Sequence, residues 1–303
     1  KADMHTKTTS FSFEIFPPKT DAGLEKLWTA MERLAELHPE FVSVTCGAGG
    51  SAIDGTTSVV HHIRTTYGIE AVPHVAIARQ SRRRLRDVLQ EYKNKGVKRI
   101  VAVRGDASLS TEEGPGDDVY PNTVDFVAEL RLKFGLDPIV AAYPDVHPLA
   151  LSPQQDMDHL KRKVDAGAVL AISQFFFLPE TFLRFRDKMH AAGIDIPLAA
   201  GIMPIQNLAQ VVKFADGCGA LVPDGFTNRF HRHNNNEAAQ FQEGVAHAVE
   251  LCDHLRRNGV DHFHIYALNR CEMTLAVLDQ LAGTTGPSPG IAAVKHEQRL
   301  PIQ

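Results

Sequence analysis

Short apolar runs alternate with helical patterns along nearly the whole chain. The runs are rich in β-branched and aromatic residues and are bounded by turn residues, which is typical of buried strands. Between them, apolar residues recur at helical spacing, as in LEKLWTAMERLAEL and TFLRFRDKMHAAG. The pattern predicts eight strands, at residues 11–16, 41–47, 70–77, 99–106, 139–144, 170–177, 196–204 and 263–269.

Glycines mark where several predicted helices end. Gly68, Gly96, Gly193 and Gly259 each stand between a helical pattern and the next predicted strand. Glycine tolerates the left-handed conformation that commonly closes a helix. We therefore expect these four residues to have positive φ angles.

Eight strands that are each followed by a helix are the count of a TIM (β/α)8 barrel. An eight-stranded doubly wound sheet is the alternative α/β fold. The segment after the seventh strand is long, and its three apolar patterns predict a seventh helix with extra helices inserted after it. No linker interrupts the chain, so we predict one barrel domain over residues 1–303, with GTTGPSPGIAAVKHEQRLPIQ as a surface tail.

Composition narrows the function classes. The chain has 303 residues, of which 44% are hydrophobic and 22% charged, as in soluble globular proteins. A net charge of −4 argues against a nucleic-acid partner. The four cysteines have neither CxxC nor zinc spacing, which is typical of free thiols in a reducing compartment. Without a signal-peptide pattern or a bilayer-length apolar segment, we expect a cytoplasmic protein with no membrane partner and no bound metal.

Polar residues collect at the carboxyl ends of the predicted strands. That end of a TIM barrel carries the active site, because the βα loops converge there. No strand start has a comparable set, and this asymmetry predicts an active site. The strand ends carry Glu14, Thr45, Cys46, His74, Arg104, Gly105, Asp106, Tyr143, His147, Gln174, Asn269 and Arg270.

Glu14 is the candidate acid. It lies among Phe13, Ile15 and Phe16, and such apolar neighbours are expected to raise its pKa toward the range that suits a general acid. The alternative is a strand-end carboxylate that faces water. His74 precedes the apolar run VAIA, and a lone histidine in such a run is more often a hydrogen-bonded core residue than a ligand. Gln174, beside three phenylalanines, is a buried amide that requires partners and can read the edge of a heterocycle.

The helix after the fifth predicted strand has the residue types that hold a nucleotide. Ser152 is a candidate N-cap with Pro153 in the first turn. A carboxylate can bind a ribose hydroxyl, and cations can bind a diphosphate. From spacing alone, a surface helix with charge pairs explains the segment better. The candidate nucleotide contacts are Asp156, His159, Arg162 and Lys163.

Three short motifs invite other interpretations. TCGAGGSA (45–52) fits a dinucleotide fingerprint, but the acid that the fingerprint requires is missing because Glu70 lies at the wrong end of the next strand. HRHNNNE (231–237) has metal-binding residue types, but a solvated loop explains it better. The tripeptide at 104–106 matches a cell-adhesion motif, and an adhesion module therefore remains an alternative from another class.

The motifs FEIFPPK, VSVTCGAGG, PHV, VRGD, AAYPDVHP, DMDHLKRKVDAGA, ISQFFF, GIMPI and LNR occur in this order over nearly the whole chain. As a set, they closely resemble the bacterial methylenetetrahydrofolate reductases. The resemblance implies an FAD-dependent barrel that reduces 5,10-methylenetetrahydrofolate to 5-methyltetrahydrofolate. NADH or NADPH would reduce FAD and leave before folate binds, which is a ping-pong scheme. It also implies a homo-oligomer without the regulatory domain of the eukaryotic enzymes.

The resemblance also implies residue roles. Glu14 would be the general acid, and Asp106 would favour the cationic form of the folate. Substrate would contact Gln174, Gln210, Phe214 and Arg270. FAD would contact Thr45, Cys46, His74, Arg104, Gly105, Asp106, Tyr120, Tyr143, His147, Ala150, Asp156, His159, Arg162 and Lys163.

Three positions depart from the pattern that the resemblance leads us to expect. Cys46 stands where an aromatic residue is common, His159 replaces an expected Asn, and Asp145 replaces Glu. A second enzyme hypothesis keeps FAD and folate but takes electrons from a protein donor.

Overall fold

The computed structural model describes residues 9–46, 50–105, 118–234 and 236–284. Within them, eight parallel strands close into a barrel in sequence order, and the last strand pairs with the first. This confirms the predicted TIM barrel and excludes the doubly wound sheet, which would be open. The strands are β1 (Ser10–Ile15), β2 (Val42–Val44), β3 (Ala71–Ala76), β4 (Arg99–Val103), β5 (Asp137–Ala142), β6 (Leu170–Ser173), β7 (Leu198–Ile202) and β8 (His262–Tyr266).

Helices follow the strands, and the final turn of α4 continues as a π-helical turn at Leu130–Phe134. The extra helices predicted after the seventh strand are present as α8 and α9. The described helices are α1 (Asp21–Ala35), α2 (Gly50–Thr66), α3 (Arg82–Asn94), α4 (Thr123–Glu129), α5 (Pro153–Asp165), α6 (Pro179–Ala191), α7 (Leu208–Cys218), α8 (Asn228–His231), α9 (Glu237–Arg257) and α10 (Glu272–Thr284).

Helix boundaries follow the local sequence. Ser152 caps α5 by accepting a hydrogen bond from the Gln155 N–H, and Pro153 occupies the first turn, as predicted. The four helix-closing glycines, Gly68, Gly96, Gly193 and Gly259, all have positive φ angles, which confirms that expectation. The predicted tail was expected to begin at Gly283, but α10 continues through Thr284; the rest of the predicted tail lies outside the described residues.

Three apolar clusters hold the barrel among the described residues. The largest lies between strands and helices and includes Phe13 and Leu27. The second includes Phe177, which follows β6, and Phe226, which follows α7. The third fills the barrel interior with apolar side chains, which include Val101. Its apolar residues come from β3 to β7 and from Phe41, while β1, β2 and β8 contribute a polar half. The polar interior residues are Ser12, Ser43, His262 and His264.

An ionic cluster closes the amino-terminal end of the barrel. The Arg99 guanidinium donates hydrogen bonds to both carboxylate oxygens of Glu70 (2.9 and 2.7 Å) and one to Glu40 (3.3 Å). It also lies over the Phe41 ring, 4.6 Å from the ring centroid. Residues at this end of a TIM barrel serve stability rather than chemistry. No helix of the described residues is long and apolar enough to cross a membrane.

Candidate active site at the carboxyl ends of the strands

Glu14 lies inside the barrel near the end of β1, between two histidines from other strands. Its Oε2 atom is 3.4 Å from Nε2 of His74 on β3 and 3.5 Å from Nε2 of His264 on β8. The Ser43 hydroxyl donates to the same oxygen over 3.4 Å. The β1–β8 and β1–β2 registers produce this convergence, because they pair Glu14 with Tyr266 and with Ser43.

The predicted direction of the Glu14 pKa shift is wrong. Burial raises the pKa of this carboxyl, as the apolar neighbours suggested, but His74 and His264 outweigh burial by charge and hydrogen bonding. The net effect lowers its pKa to about 2. Glu14 is therefore ionised at neutral pH.

His74 presents a buried polar atom to the site. Its Nε2 atom is buried and lies 3.4 Å from Glu14 Oε2, a contact that has the length of an ion pair and a weak hydrogen bond but not the geometry of a good one. A buried polar atom without a partner costs free energy unless a ligand or water satisfies it. His74 is thus positioned for a ligand, as a site residue would be, rather than as a satisfied core histidine.

Sequence reasoning missed the residues behind Glu14. Nδ1 of His264 is 2.7 Å from the Ser12 hydroxyl, which is 2.9 Å from Nε2 of His262. Ser12 and His264 are fully buried. A signal was present, because polar residues alternate in FSFE and in HFHIY and so share one face of each strand. The two faces meet only through the pairing of β1 with β8.

Tyr266 and Gly201 form the wall next to Glu14. The Tyr266 hydroxyl donates a hydrogen bond to the Ser173 carbonyl over 2.9 Å. A Cβ on Gly201 would lie 2.1 Å from that carbonyl oxygen and 3.0 Å from the Tyr266 ring. Gly201 is therefore required here by close approach. Beside this wall, the Gln174 side chain is half-buried, and its Oε1 accepts the Phe175 N–H over 3.0 Å.

Cationic and imidazole side chains gather between β4, the loop after β5 and α5. Burial, together with the positive charges of Lys163, Arg162 and Arg104, lowers the pKa of His159 to about 4. Arg162 also lies 3.2 Å from Nδ1 of His159. The predicted nucleotide contacts are thus brought together, and this group is called the cationic pocket below: Arg104, His147, His159, Arg162 and Lys163.

Asp156 fixes one side of the cationic pocket. Its Oδ2 accepts the His147 backbone N–H over 3.0 Å, which ties α5 to the loop after β5. His147 in turn caps this loop through a bond from the Leu149 N–H to Nδ1 and packs edge-on against Tyr143, with ring centroids 4.5 Å apart. The Ala150 N–H donates to the His147 carbonyl over 2.9 Å, so Ala150 belongs to the same ordered turn.

Lys163 is the most buried member of the pocket. Its ammonium donates to the Ala141 carbonyl over 2.9 Å, and 7% of the residue is exposed. Burial lowers the pKa of Lys163 to about 8, against the opposing charge of Asp156. A surface helix with ordinary charge pairs, the alternative for this segment, does not explain a buried ammonium.

Of the remaining predicted FAD contacts, some lie at strand ends and others lie away from the cationic pocket or outside the described residues. Thr45 and Cys46 follow β2, where burial raises the pKa of the Cys46 thiol. Gly105 is exposed with φ +81°, and a Cβ there would lie 2.8 Å from Cβ of Ala76, so Gly105 also has a structural role. The structure does not bring Tyr120 to the cationic pocket, because it is buried and packs against Phe126 and Arg82. Asp106 lies outside the described residues.

The predicted substrate contacts on α7 share one exposed face. Gln210 and Phe214 are one helical turn apart, and 37% of the large apolar Phe214 side chain is exposed. Arg270, after β8, is exposed and donates to the Gln206 side chain over 3.0 Å. Its neighbour Asn269 exchanges two hydrogen bonds with the Phe16 backbone, which fixes the loop after β1.

The structure bears on two of the short motifs, the metal-like tract at 231–237 and the adhesion-like tripeptide at 104–106. Among the described residues, no group of His, Cys, Asp and Glu could hold a metal ion, and in the 231–237 tract His233 lies 3.5 Å from Glu243 instead. Of the adhesion-like tripeptide, Arg104 and Gly105 are exposed, so burial does not exclude that alternative.

The fold and site define a (β/α)8 barrel. At the carboxyl ends of its strands, a carboxylate–imidazole group lies beside a cationic pocket. The family model described as methylenetetrahydrofolate reductase matches residues 1–282. The chain belongs to this family, which confirms the resemblance. It is 42% identical over 281 residues to the 5,10-methylenetetrahydrofolate reductase of Pectobacterium carotovorum, covering 93% of this chain and 91% of that protein. The Escherichia coli enzyme of the same name is 41% identical, covering 92% of each chain.

A plant relative and solved structures extend the comparison. A Zea mays protein named methylenetetrahydrofolate reductase (NADH) 1 is 31% identical over 90% of this chain but only 48% of its own length. A Clostridium thermocellum protein, described as binding two copies of 5-methyl-5,6,7,8-tetrahydrofolic acid, has a TM-score of 0.60 at 12% identity and covers 90% of this chain and 94% of its own. At this identity the likeness concerns the fold alone.

Proposed function

We propose that this chain reduces 5,10-methylenetetrahydrofolate to 5-methyltetrahydrofolate, with FAD as hydride carrier and NADH or NADPH as reductant in a ping-pong scheme. Family membership supports the reaction. The observation that carries it is the position of Glu14, a carboxylate held by two imidazoles at the mouth of the barrel. This is an acid–base group in the region where barrel enzymes bind substrate.

The cationic pocket fits FAD by the chemistry of its side chains. Arg104, Arg162 and Lys163 can neutralise a diphosphate, and the Asp156 carboxylate can accept a bond from a ribose hydroxyl. The buried Nε2 atom of His74, beside Glu14, would offer a hydrogen-bonding group to a ring that lies across the mouth. When bound, the flavin would accept a hydride from nicotinamide and later supply it to the folate.

Glu14 would deliver the proton that opens the folate bridge. In the substrate, one carbon joins N5 and N10, and in the product that carbon remains on N5 as a methyl group. The bond to N10 therefore breaks, its electron pair stays on N10, and Glu14 protonates that nitrogen. Since the pKa of Glu14 is low, this carboxyl would carry the proton only briefly, as N10 accepts it.

The remaining predicted contacts would orient the substrate. We propose that the Gln174 amide hydrogen-bonds the pterin and that Phe214 stacks on folate or nicotinamide, with Gln210 one turn away. Arg270 would meet the carboxylates of the folate's glutamate end. Asp106 would stabilise the cationic iminium carbon that remains on N5 after the bridge opens.

Anaerobic spectroscopy tests the function. Purified protein loaded with FAD is expected to bleach with NADH or NADPH and to regain its absorption band with methylenetetrahydrofolate, yielding the 5-methyl product. Stopped-flow comparison of NADH and NADPH identifies the preferred reductant. Bleaching only by dithionite, followed by reoxidation with folate, would favour a protein electron donor. Failure to bind FAD or to reoxidise with folate would overturn the proposal.

A further inference from the structure

Strands β6 and β7 part at the mouth of the barrel. The last residues that they pair in register are Ile172 and Ala199, although β6 continues to Ser173 and β7 to Ile202. In a closed barrel, each strand normally has its backbone N–H and C=O groups satisfied by its two neighbours. The groups beyond the last pair therefore need other partners.

Side chains supply those partners. The Gly201 N–H donates to the Ser173 hydroxyl over 2.9 Å. The Ser173 carbonyl accepts a hydrogen bond from the Tyr266 hydroxyl over 2.9 Å, so a side chain of β8 reaches past β7 to β6. Gly201 makes room for it, because a Cβ there would lie 2.1 Å from that carbonyl oxygen and 3.0 Å from the Tyr266 hydroxyl. Tyr266 thus replaces the strand contact that β6 lacks.

The bond from Tyr266 fixes the peptide unit that leads into Gln174. The carbonyl of this unit belongs to Ser173 and its N–H belongs to Gln174. That N–H donates to the Ala142 carbonyl on β5 over 2.7 Å, so the unit is held from one side by β5 and from the other by the phenol. Because a peptide unit is planar, its orientation determines where the next Cα atom and its side chain lie.

The Gln174 amide depends on the same backbone. Its Oε1 accepts the Phe175 N–H over 3.0 Å, which leaves the Nε2 group as the end that can donate to a ligand. Phe175 in turn packs edge-on against the Tyr266 ring, with ring centroids 6.3 Å apart. An amide that is held by its own backbone keeps its direction only while that backbone is fixed.

Packing alone does not require the Tyr266 hydroxyl. The ring meets Phe175 and His264 edge-on, and a phenylalanine ring could make both contacts. Burial raises the pKa of Tyr266 well above its usual range, and the charge of Glu14 raises it further. The phenol therefore stays protonated at neutral pH and remains a donor to the Ser173 carbonyl.

We propose that Tyr266 is a positioning residue, whose hydroxyl holds the end of β6 so that the Gln174 amide faces the folate at the mouth of the barrel. This rests on the proposed function, in which Gln174 hydrogen-bonds the pterin. Tyr266 acts through Gln174, while its ring forms the wall next to Glu14. Displacement of an orienting group by about 1 Å can cost up to ~10²-fold in rate.

Tyr266→Phe removes the hydroxyl and keeps the ring. Gln174→Ala removes the amide that the hydroxyl would orient, and the double variant shows whether the two residues act as one unit. Tyr92→Phe is the matched control. Tyr92 is also buried, 1% exposed, and its hydroxyl accepts a hydrogen bond from Thr57 over 3.2 Å, but it lies on α3 outside the barrel.

The first readout needs no activity. In protein labelled with ¹⁵N-glutamine, with and without FAD, the Gln174 side-chain amide is identified by its loss in Gln174→Ala. We expect this amide to be ordered in the wild type and in Tyr92→Phe, and its order parameter to fall below about 0.6 in Tyr266→Phe. An equally ordered amide in Tyr266→Phe would overturn the proposal, whatever the activity.

The second readout is the KM for methylenetetrahydrofolate in anaerobic reoxidation of the flavin. Gln174→Ala and Tyr266→Phe are each expected to raise it about tenfold and to change kcat less than about twofold, as when substrate binding is lost. Tyr92→Phe should leave KM unchanged.

The double variant should match Gln174→Ala, because Tyr266 has no amide left to orient. An increase of about a hundredfold in the double variant would show that the two residues act independently and would overturn the proposal. An unchanged KM in Tyr266→Phe would overturn it as well. If the wild-type protein does not reduce folate, the proposed function fails, and the order of the Gln174 amide still decides whether Tyr266 positions it.

Discussion

Glu14 on the first strand and His264 on the last approach each other to 3.5 Å, although 250 positions separate them in the sequence. This contact exists because the barrel closes by pairing β1 with β8. It turns an isolated strand-end carboxylate into part of a polar group that extends through the barrel. The following predictions test how that group, and the pocket beside it, are built.

Lys163→Met tests the buried ammonium of the cationic pocket. The pKa of Lys163 falls from 10.5 to about 8 on folding, so between these values the folded chain binds fewer protons than the unfolded chain. Its stability should therefore rise with pH across this window, by about 3 kcal/mol for this one group. This is measured by chemical denaturation of the protein without added FAD at several pH values. Across the window, the free energy of unfolding of the wild type should rise by this amount relative to that of Lys163→Met. A difference that stays constant with pH would contradict a depressed lysine pKa.

Gly201→Ala tests the close approach beneath Tyr266. The added Cβ would lie 2.1 Å from the Ser173 carbonyl oxygen, so backbone or ring must move. We expect a loss of at least about 2–3 kcal/mol in the free energy of unfolding. Gly217→Ala is the control, because a Cβ at this position in α7 meets no atom within 4 Å. It should be neutral or stabilise by up to about 1 kcal/mol. Equal stability of the two variants would contradict the wall geometry.

Phe214→Ala tests the exposed apolar face of α7. Because the side chain is 37% exposed, its removal should change the free energy of unfolding by less than about 0.5 kcal/mol. If it stacks on substrate, KM for folate or nicotinamide should rise about tenfold, the equivalent of one aromatic contact of about 1.4 kcal/mol. Leu132→Ala, at an 82% exposed apolar residue, should leave KM unchanged. A stability loss without a KM change would assign Phe214 to packing.

The architecture was predictable because its signals are local. Alternating strand and helix patterns, the cap at Ser152 and the glycines at helix ends each depend on a few neighbouring residues. The strand ends also identified most of the residues that the structure brings to the site, because a TIM barrel assigns those positions to one face. The cationic pocket could not be predicted from local signals alone, because the spacing of charged residues in α5 fitted a surface helix. Burial of Lys163 is a tertiary property.

The polar contacts of Ser12, His262 and His264 behind Glu14 and the sign of the Glu14 pKa shift were not predictable in the same way. Neighbours in the sequence, Phe13 and Ile15, indicate burial and therefore a raised pKa. The histidines that reverse the shift come from β3 and β8, and only the register of a closed barrel brings them to Glu14. The contact of Tyr120 with FAD stays a prediction, and the structure places its ring against Phe126 on α4.

Glu14→Gln tests the central claim most directly, with each half-reaction measured by anaerobic stopped flow. The account predicts normal reduction of FAD by nicotinamide and a loss of ~10²- to 10⁴-fold in reoxidation by methylenetetrahydrofolate. Glu243→Gln is the matched control. It removes a carboxylate on α9 that lies beside the His233 imidazole, outside the candidate site, and it should leave both rates unchanged. Equal loss of both half-reactions in Glu14→Gln, or loss of neither, would contradict the assignment of Glu14 as the general acid.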